Sequence, residues 1–152
     1  RVQLLPKILK PIEFMKRIKV LLIEDNPGDV LLATEALEDS KFLVQLEVVK
    51  NGKEGVDYLF GRGEYAEKPK PDVVLLDINL PLKTGHEVLT EVKDNDDTKE
   101  IPVIMLTTSS VQDDILKSYQ EQASCYIVKP VEVDQFTEFI KVFDRFCETL
   151  DI

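Results

Sequence analysis

The stretch Pro71-Asp-Val-Val-Leu-Leu-Asp77-Ile-Asn-Leu-Pro81-Leu-Lys-Thr-Gly85 decides how this chain folds. Val73 to Leu76 are four apolar residues without polar alternation, set behind a proline, and they predict a short strand buried on both faces. Asp77 ends that strand. A carboxylate at the C-terminal end of a buried parallel strand lies where open α/β sheets hold their ligands. Pro81 and Gly85 let the chain turn into a helix from His86 onward. In this position Asp77 is a candidate nucleophile for a phosphoryl group.

Strand and helix signals alternate on both sides of this stretch. Upstream, Ile18 to Ile23 predicts a strand ending in Glu24-Asp25, and Asn26-Pro-Gly-Asp29 opens a helix with Val30, Leu31, Ala33 and Leu37 at helical spacing. Leu43 to Val49 alternates weakly, as an edge strand does, before Asn51-Gly52 breaks it and Lys53 to Phe60 forms a second helix. The polar loop Gly61 to Pro71 is expected to be exposed and extended. Downstream, a third helix runs from Gly85 to about Lys93, followed by a solvated turn at Asp94-Asn-Asp-Asp97. Ile101 to Leu106 is a strand, Val111 to Gln120 a helix, Ser124 to Val128 a strand, and about Val131 to Glu148 the last helix. Five strands alternating with five helices predict an α/β fold, a doubly wound parallel sheet covered on both faces.

Composition bounds the function. The 152 residues suit one domain with a sizeable core. The apolar runs, such as Val20 to Ile23, stop at four residues, which excludes a membrane-spanning helix and predicts a soluble protein. Twenty-nine acidic against nineteen basic residues give a net charge of -10, which disfavours nucleic acid and favours protein partners. Cys125 and Cys147 make neither a disulfide framework nor a metal motif, so reduced thiols and a cytoplasmic location are expected. Residues 1–14, with Pro6, Pro11 and three basic side chains before Met15, read as an N-terminal extension of expression-vector origin, leaving 15–152 as the domain.

Glu24, Asp25, Asp77, Thr107 and Lys129 all fall at strand ends, and a parallel sheet brings such positions to one edge. Three carboxylates crowded there repel unless a cation joins them. Mg²⁺ fits, held by Glu24, Asp25, Asp77 and the backbone carbonyl of Asn79. In phosphoryl transfer Asp77 would attack in line, Lys129 would neutralise phosphoryl charge as a compact cation, and the Thr107 hydroxyl would donate a hydrogen bond.

Four ordered motifs now coincide: Ile23-Glu24-Asp25, Leu76-Asp77-x-x-Leu-Pro81-x-x-x-Gly85, Pro102-Val-Ile-Met-Leu-Thr107 and Tyr126-x-x-Lys129-Pro130. Over roughly Met15 to Thr149 the chain resembles a response-regulator receiver domain of two-component signalling. The resemblance implies a flavodoxin-like sheet of order 2-1-3-4-5, transfer from a sensor histidine kinase onto Asp77, and Mg²⁺ on Glu24 and Asp25. It also implies a switch, in which Thr107 moves toward the phosphoryl group and Tyr126 turns inward, biasing a surface of the fourth helix, fifth strand and fifth helix. A cis bond before Pro130 and self-catalysed phosphorylation and dephosphorylation, rather than enzymatic turnover, come with it. The long loop before the third strand, Asn79-Leu-Pro81 and Leu106-Thr-Thr-Ser109 are similar to stand-alone regulators that pair with phytochrome-type kinases. In the family the position after the switch threonine, here Thr108, influences phosphoryl lifetime.

The last helix carries Phe136, Phe139, Ile140, Val142, Phe143, Phe146, Cys147 and Leu150 over roughly 160° of arc, wide for a helix that packs on one side. A homodimer through the fourth helix, fifth strand and fifth helix is the expectation, in line with family habit. His86 reads as solvated and Cys125 as a buried packing residue. Two rival functions are weighed. An aspartyl-phosphate hydrolase would carry a second Asp two residues after the nucleophile, where this chain has Asn79. A receiver-like scaffold that is never phosphorylated would not need the complete pocket.

Overall fold

The run at 73–77 forms the middle strand of a five-stranded sheet. The structure is a computed structural model, and it describes residues 15–108, 117 and 122–152. The strands are β1 (Arg17–Ile23), β2 (Leu43–Val49), β3 (Val73–Asp77), β4 (Val103–Thr107) and β5 (Cys125–Val128), all parallel, in the order β2-β1-β3-β4-β5. This is the doubly wound order that the family resemblance implies.

Side chains alternate across a strand, so a sheet covered on both faces needs apolar residues at every position. That is what β3 and β4 supply, buried from end to end. Ile18, Val20, Leu22, Val73, Leu75, Ile104 and Leu106 contribute to one core cluster, while Leu21, Ile23, Val74, Leu76, Val103 and Met105 contribute to another. The first is covered by the helices α1 (Pro27–Leu37) and α4 (Phe136–Cys147), the second by α2 (Gly52–Leu59) and α3 (Gly85–Lys93).

Each helix of the first three starts on a side-chain cap that satisfies an orphan N–H. Asn26 accepts from the Asp29 amide with Pro27 just inside the helix, Asn51 accepts from the Glu54 amide, and Thr84 with Glu87 forms a reciprocal capping box.

Four α-helices lie among the described residues; the fifth, expected over Val111 to Gln120, falls outside them except at residue 117, as does the segment 1–14. Several other expectations need correction. The loop from Gly61 is exposed, but it is not simply extended. It coils into a 3-10 turn at Gly63–Tyr65, where Tyr65 stacks at 5.2 Å on Tyr58 and donates its hydroxyl to Glu54 at 3.2 Å. The last helix begins later than expected, after a 3-10 turn at Val133–Gln135 in which Gln135 accepts from the amides of Val131 and Glu132. Its wide apolar arc is largely used internally: Phe139, Ile140, Phe143 and Cys147 are buried, and Phe136, Val142, Phe146 and Leu150 pack half-buried against the same core. Cys125 is half-buried rather than buried.

Candidate functional site

Every strand of a parallel sheet ends on the same edge, and here that edge collects Glu24 after β1, Asp77 at the end of β3, Thr107 at the end of β4 and Lys129 after β5. All four are buried, with Asp25 beside them exposed. Backbone pairing sets their spacing. The Ile78 amide donates to the Leu106 carbonyl at 3.1 Å, and the Lys129 amide donates to the Thr107 carbonyl at 2.7 Å, so the acid, the hydroxyl and the cation are carried on adjoining strands.

Asp77 is fixed from behind by the turn that follows it. Its Oδ1 accepts from the Asn79 amide at 3.2 Å, and the Gly85 amide returns to the Ile78 carbonyl at 2.8 Å. A Cβ at Gly85 would collide with the Asp77 carbonyl and the Ile78 Cα, so only glycine lets α3 start this close to the strand. That close approach also explains a correction: His86, expected to be solvated, is buried at 8% exposure. The turn contains Leu82 in the left-handed region at φ 69°, 76% exposed, a strained conformation of the kind stored at functional loops.

Glu24, Asp25 and Asp77 each offer a carboxylate oxygen within 4.8 Å of the others. Three carboxylate oxygens gathered this closely form a hard-oxygen donor set of the kind that Mg²⁺ takes. Burial pushes the Glu24 carboxyl above the usual carboxylate range, and the charge of Asp77 pushes in the same direction against the Lys129 hydrogen bond. An acid kept from ionising by burial, with a like charge adding to it, is what a divalent cation relieves.

Lys129 answers part of this charge now. Its Nζ donates to Glu24 Oε1 at 2.8 Å and to Asp29 Oδ2 at 2.8 Å, and lies 3.4 Å from Asp77 Oδ2. Burial opposes its charge, but the bonds to Asp29 and Glu24 and the field of Asp77 outweigh it and hold the ammonium above its ordinary pKa. The bond before Pro130, expected to be cis, is trans, since no cis bond occurs among the described residues; Lys129 enters the site from a trans backbone. Tyr126 is half-buried on β5, against the cluster beneath α2 and α3.

Sequence reasoning brought together the right strand ends but missed Asp29. An acid in the first turn of a capped helix is favoured by the helix dipole alone, so nothing in the sequence marked it as a partner of a lysine one hundred positions away. Among the described residues no helix is long and apolar enough to cross a membrane.

With the geometry in hand, comparison with known proteins gives a consistent result. The profile of the family described as "Response regulator receiver domain" matches residues 20–141. The chain is 38% identical to "Response regulator Rcp1" of Synechocystis sp. over 127 residues, 84% of this chain and 86% of that protein. The crystal structure of the phosphorylated cyanobacterial phytochrome response regulator RcpA is similar with a TM-score of 0.79 at 41% identity, covering 88% of this chain and 95% of that one. The Mn²⁺-bound form of response regulator Rcp1 is similar with a TM-score of 0.80 at 38% identity, covering 89% and 98%.

Proposed function

The chain belongs to the response regulator receiver domain family, and from that premise we propose that Asp77 is its phosphoacceptor, with Glu24, Asp25 and the Asn79 carbonyl completing a Mg²⁺ site around it. The observation that carries this reading is the convergence of three carboxylate oxygens within 4.8 Å, one of them on the residue that ends the central strand. A resident Mg²⁺ would supply neutralisation of the carboxylates and of phosphoryl charge. Asp77 then attacks phosphorus in line: its oxygen forms the new P–O bond as the P–N bond of a donor phosphohistidine breaks, and the imidazole keeps the electron pair and takes up a proton. Lys129 offers its ammonium and Thr107 its hydroxyl to phosphoryl oxygens. Movement of Thr107, with Tyr126 following inward, is the switch in this proposal, supported by their places on adjoining strands, where Thr107 pairs with Val128.

The donor in this reading is a histidine kinase of the phytochrome type. The support is similarity, over most of its length, to a protein that is itself a phytochrome response regulator. Loss of the phosphoryl group is self-catalysed, with no turnover of a separate substrate. Self-association in this reading uses the β5 side, where Val128, Val131 and Val133 are exposed beside the half-buried Phe136 and Val142; sedimentation with and without phosphodonor tests it, and a monomeric mass in both removes it.

Intact-protein mass after incubation with Mg²⁺ and acetyl phosphate tests the central claim. One phosphoryl group on the native chain, absent in Asp77→Asn and with chelator, is the expected result. A folded native chain that gains none under rapid quenching would make the pocket a scaffold's and remove Asp77 from its role.

A further inference from the structure

Lys129 has more partners than the proposed chemistry needs. Its ammonium carries three N–H bonds, and two are committed at 2.8 Å, one to Glu24 and one to Asp29, while Asp77 stands off at 3.4 Å. Asp29 is not one of the three carboxylates that converge for a metal. It sits in the first turn of α1, placed there by the Asn26 cap on its own amide at 3.0 Å, and its side chain is 26% exposed against 7% for Lys129. A buried ammonium needs its protons satisfied, so this partner is not incidental to where Lys129 rests.

We propose that Asp29 is a positioning residue that draws the Lys129 ammonium away from Asp77 in the unphosphorylated chain, competing with the phosphoryl group for the same cation. The proposal rests on Asp77 being the phosphoacceptor. With Asp29 in place, an incoming tetrahedral anion must take Lys129 from two charge-assisted bonds, to Glu24 and to Asp29; with the Asp29 charge removed, only the bond to Glu24 at that strength is left to give up. The same competition acts on the metal. Without Asp29, Lys129 leans on Glu24 and Asp77, the residues that Mg²⁺ also needs.

The test compares native chain, Asp29→Asn and Asp29→Glu, each with Lys129 and with Lys129→Ala, after thermal melts establish that each is folded; Asp29→Ser replaces any Asn variant that is not. The probes are beryllofluoride, a tetrahedral anion that carboxylates bind in place of a phosphoryl group, and Mg²⁺ alone, both read by calorimetry. Asp29→Asn should bind beryllofluoride roughly tenfold more tightly, the size expected of one partly exposed charge-assisted bond, and Asp29→Glu should behave as native. Asp29→Asn should weaken Mg²⁺ binding several-fold when Lys129 is present and by less than about twofold in Lys129→Ala, where only the through-space charge remains. Unchanged or weaker beryllofluoride binding in Asp29→Asn, or an equal Mg²⁺ effect in both backgrounds, overturns the proposal. A native chain that binds no beryllofluoride and gains no phosphoryl group indicts the phosphoacceptor reading instead, and the Mg²⁺ comparison still decides whether Asp29 and Lys129 are coupled.

Discussion

Strands β3 and β5 deliver the two opposite charges of the site, and they are built differently. β3 lies in the middle of the sheet with every residue buried, and its last side chain, Asp77, is held by the turn that Gly85 closes behind it. β5 is an edge strand of four residues in which only Ile127 is fully buried, and Lys129 follows it on a long flexible stem shared among three carboxylates. The Asp77 carboxylate is thus fixed and its counter-ion adjustable, a division that suits the proposed transfer. In-line transfer needs a reacting oxygen placed within fractions of an ångström, whereas charge neutralisation tolerates a compact cation that moves between partners.

The two cysteines, Cys147 buried on α4 and Cys125 half-buried on β5, carry a parallel contrast between core and edge, and it is the largest effect expected. Cys147 packs into the cluster that contains Val73 and Leu75, and burial, with Asp144 adding, pushes its thiol from 9.0 up to about 12. Cys125 lies on β5, half-buried, and burial raises its thiol as well. The thiolate is the nucleophile, so a raised pKa empties the reactive form. At pH 8 Cys147 should alkylate about a thousandfold more slowly in the folded chain than in denaturant, with Cys125 modified well before it. The sign carries to stability: this contribution is intact below pH 9.0 and is lost as pH rises toward 12. Peptide mapping of a timed iodoacetamide reaction checks it, and equal rates at the two thiols would break the distinction between centre and edge.

Packing should show the same contrast in free energy. Leu75 is fully buried at the centre of β3, and truncating a leucine there removes apolar contact and leaves a cavity that close-packed neighbours cannot fill. Leu75→Ala should cost about 2–5 kcal/mol in urea unfolding. A cost below about 1 kcal/mol would mean that the centre yields as an edge does.

How much of this was legible follows from where each residue sits relative to an apolar run. Asp77, Glu24, Thr107 and Lys129 each close a run of apolar residues, and in a parallel sheet the end of a run is a place in space as well as in sequence. The convergence of the acids was therefore readable, whereas the order of the sheet came with the family resemblance. Asp29 and His86 were not readable. Both stand in the first turn of a helix, where polarity predicts solvent. What pulled them inward is tertiary: a lysine from the far end of the chain in one case, and in the other a helix start pressed against β3 because Gly85 lacks a side chain. The 3-10 turn before α4 and the Tyr65 clasp have a related cause, since both are fixed by a few specific contacts rather than by a periodic pattern.

The smallest expected effect completes the comparison from the edge. Val128 is 41% exposed on β5, pairing in register with Thr107 one strand in. Replacing it by threonine keeps the β-branched shape that suits a strand and exchanges a methyl for a hydroxyl that water can reach. Val128→Thr should change unfolding free energy by no more than about 0.5 kcal/mol. Because the substitution leaves the backbone bond from the Lys129 amide to the Thr107 carbonyl in place, Mg²⁺ affinity should not move either. A loss of 2 kcal/mol or more would show that β5 is held as tightly as β3, and the freedom ascribed to Lys129 would then have to reside in its side chain alone.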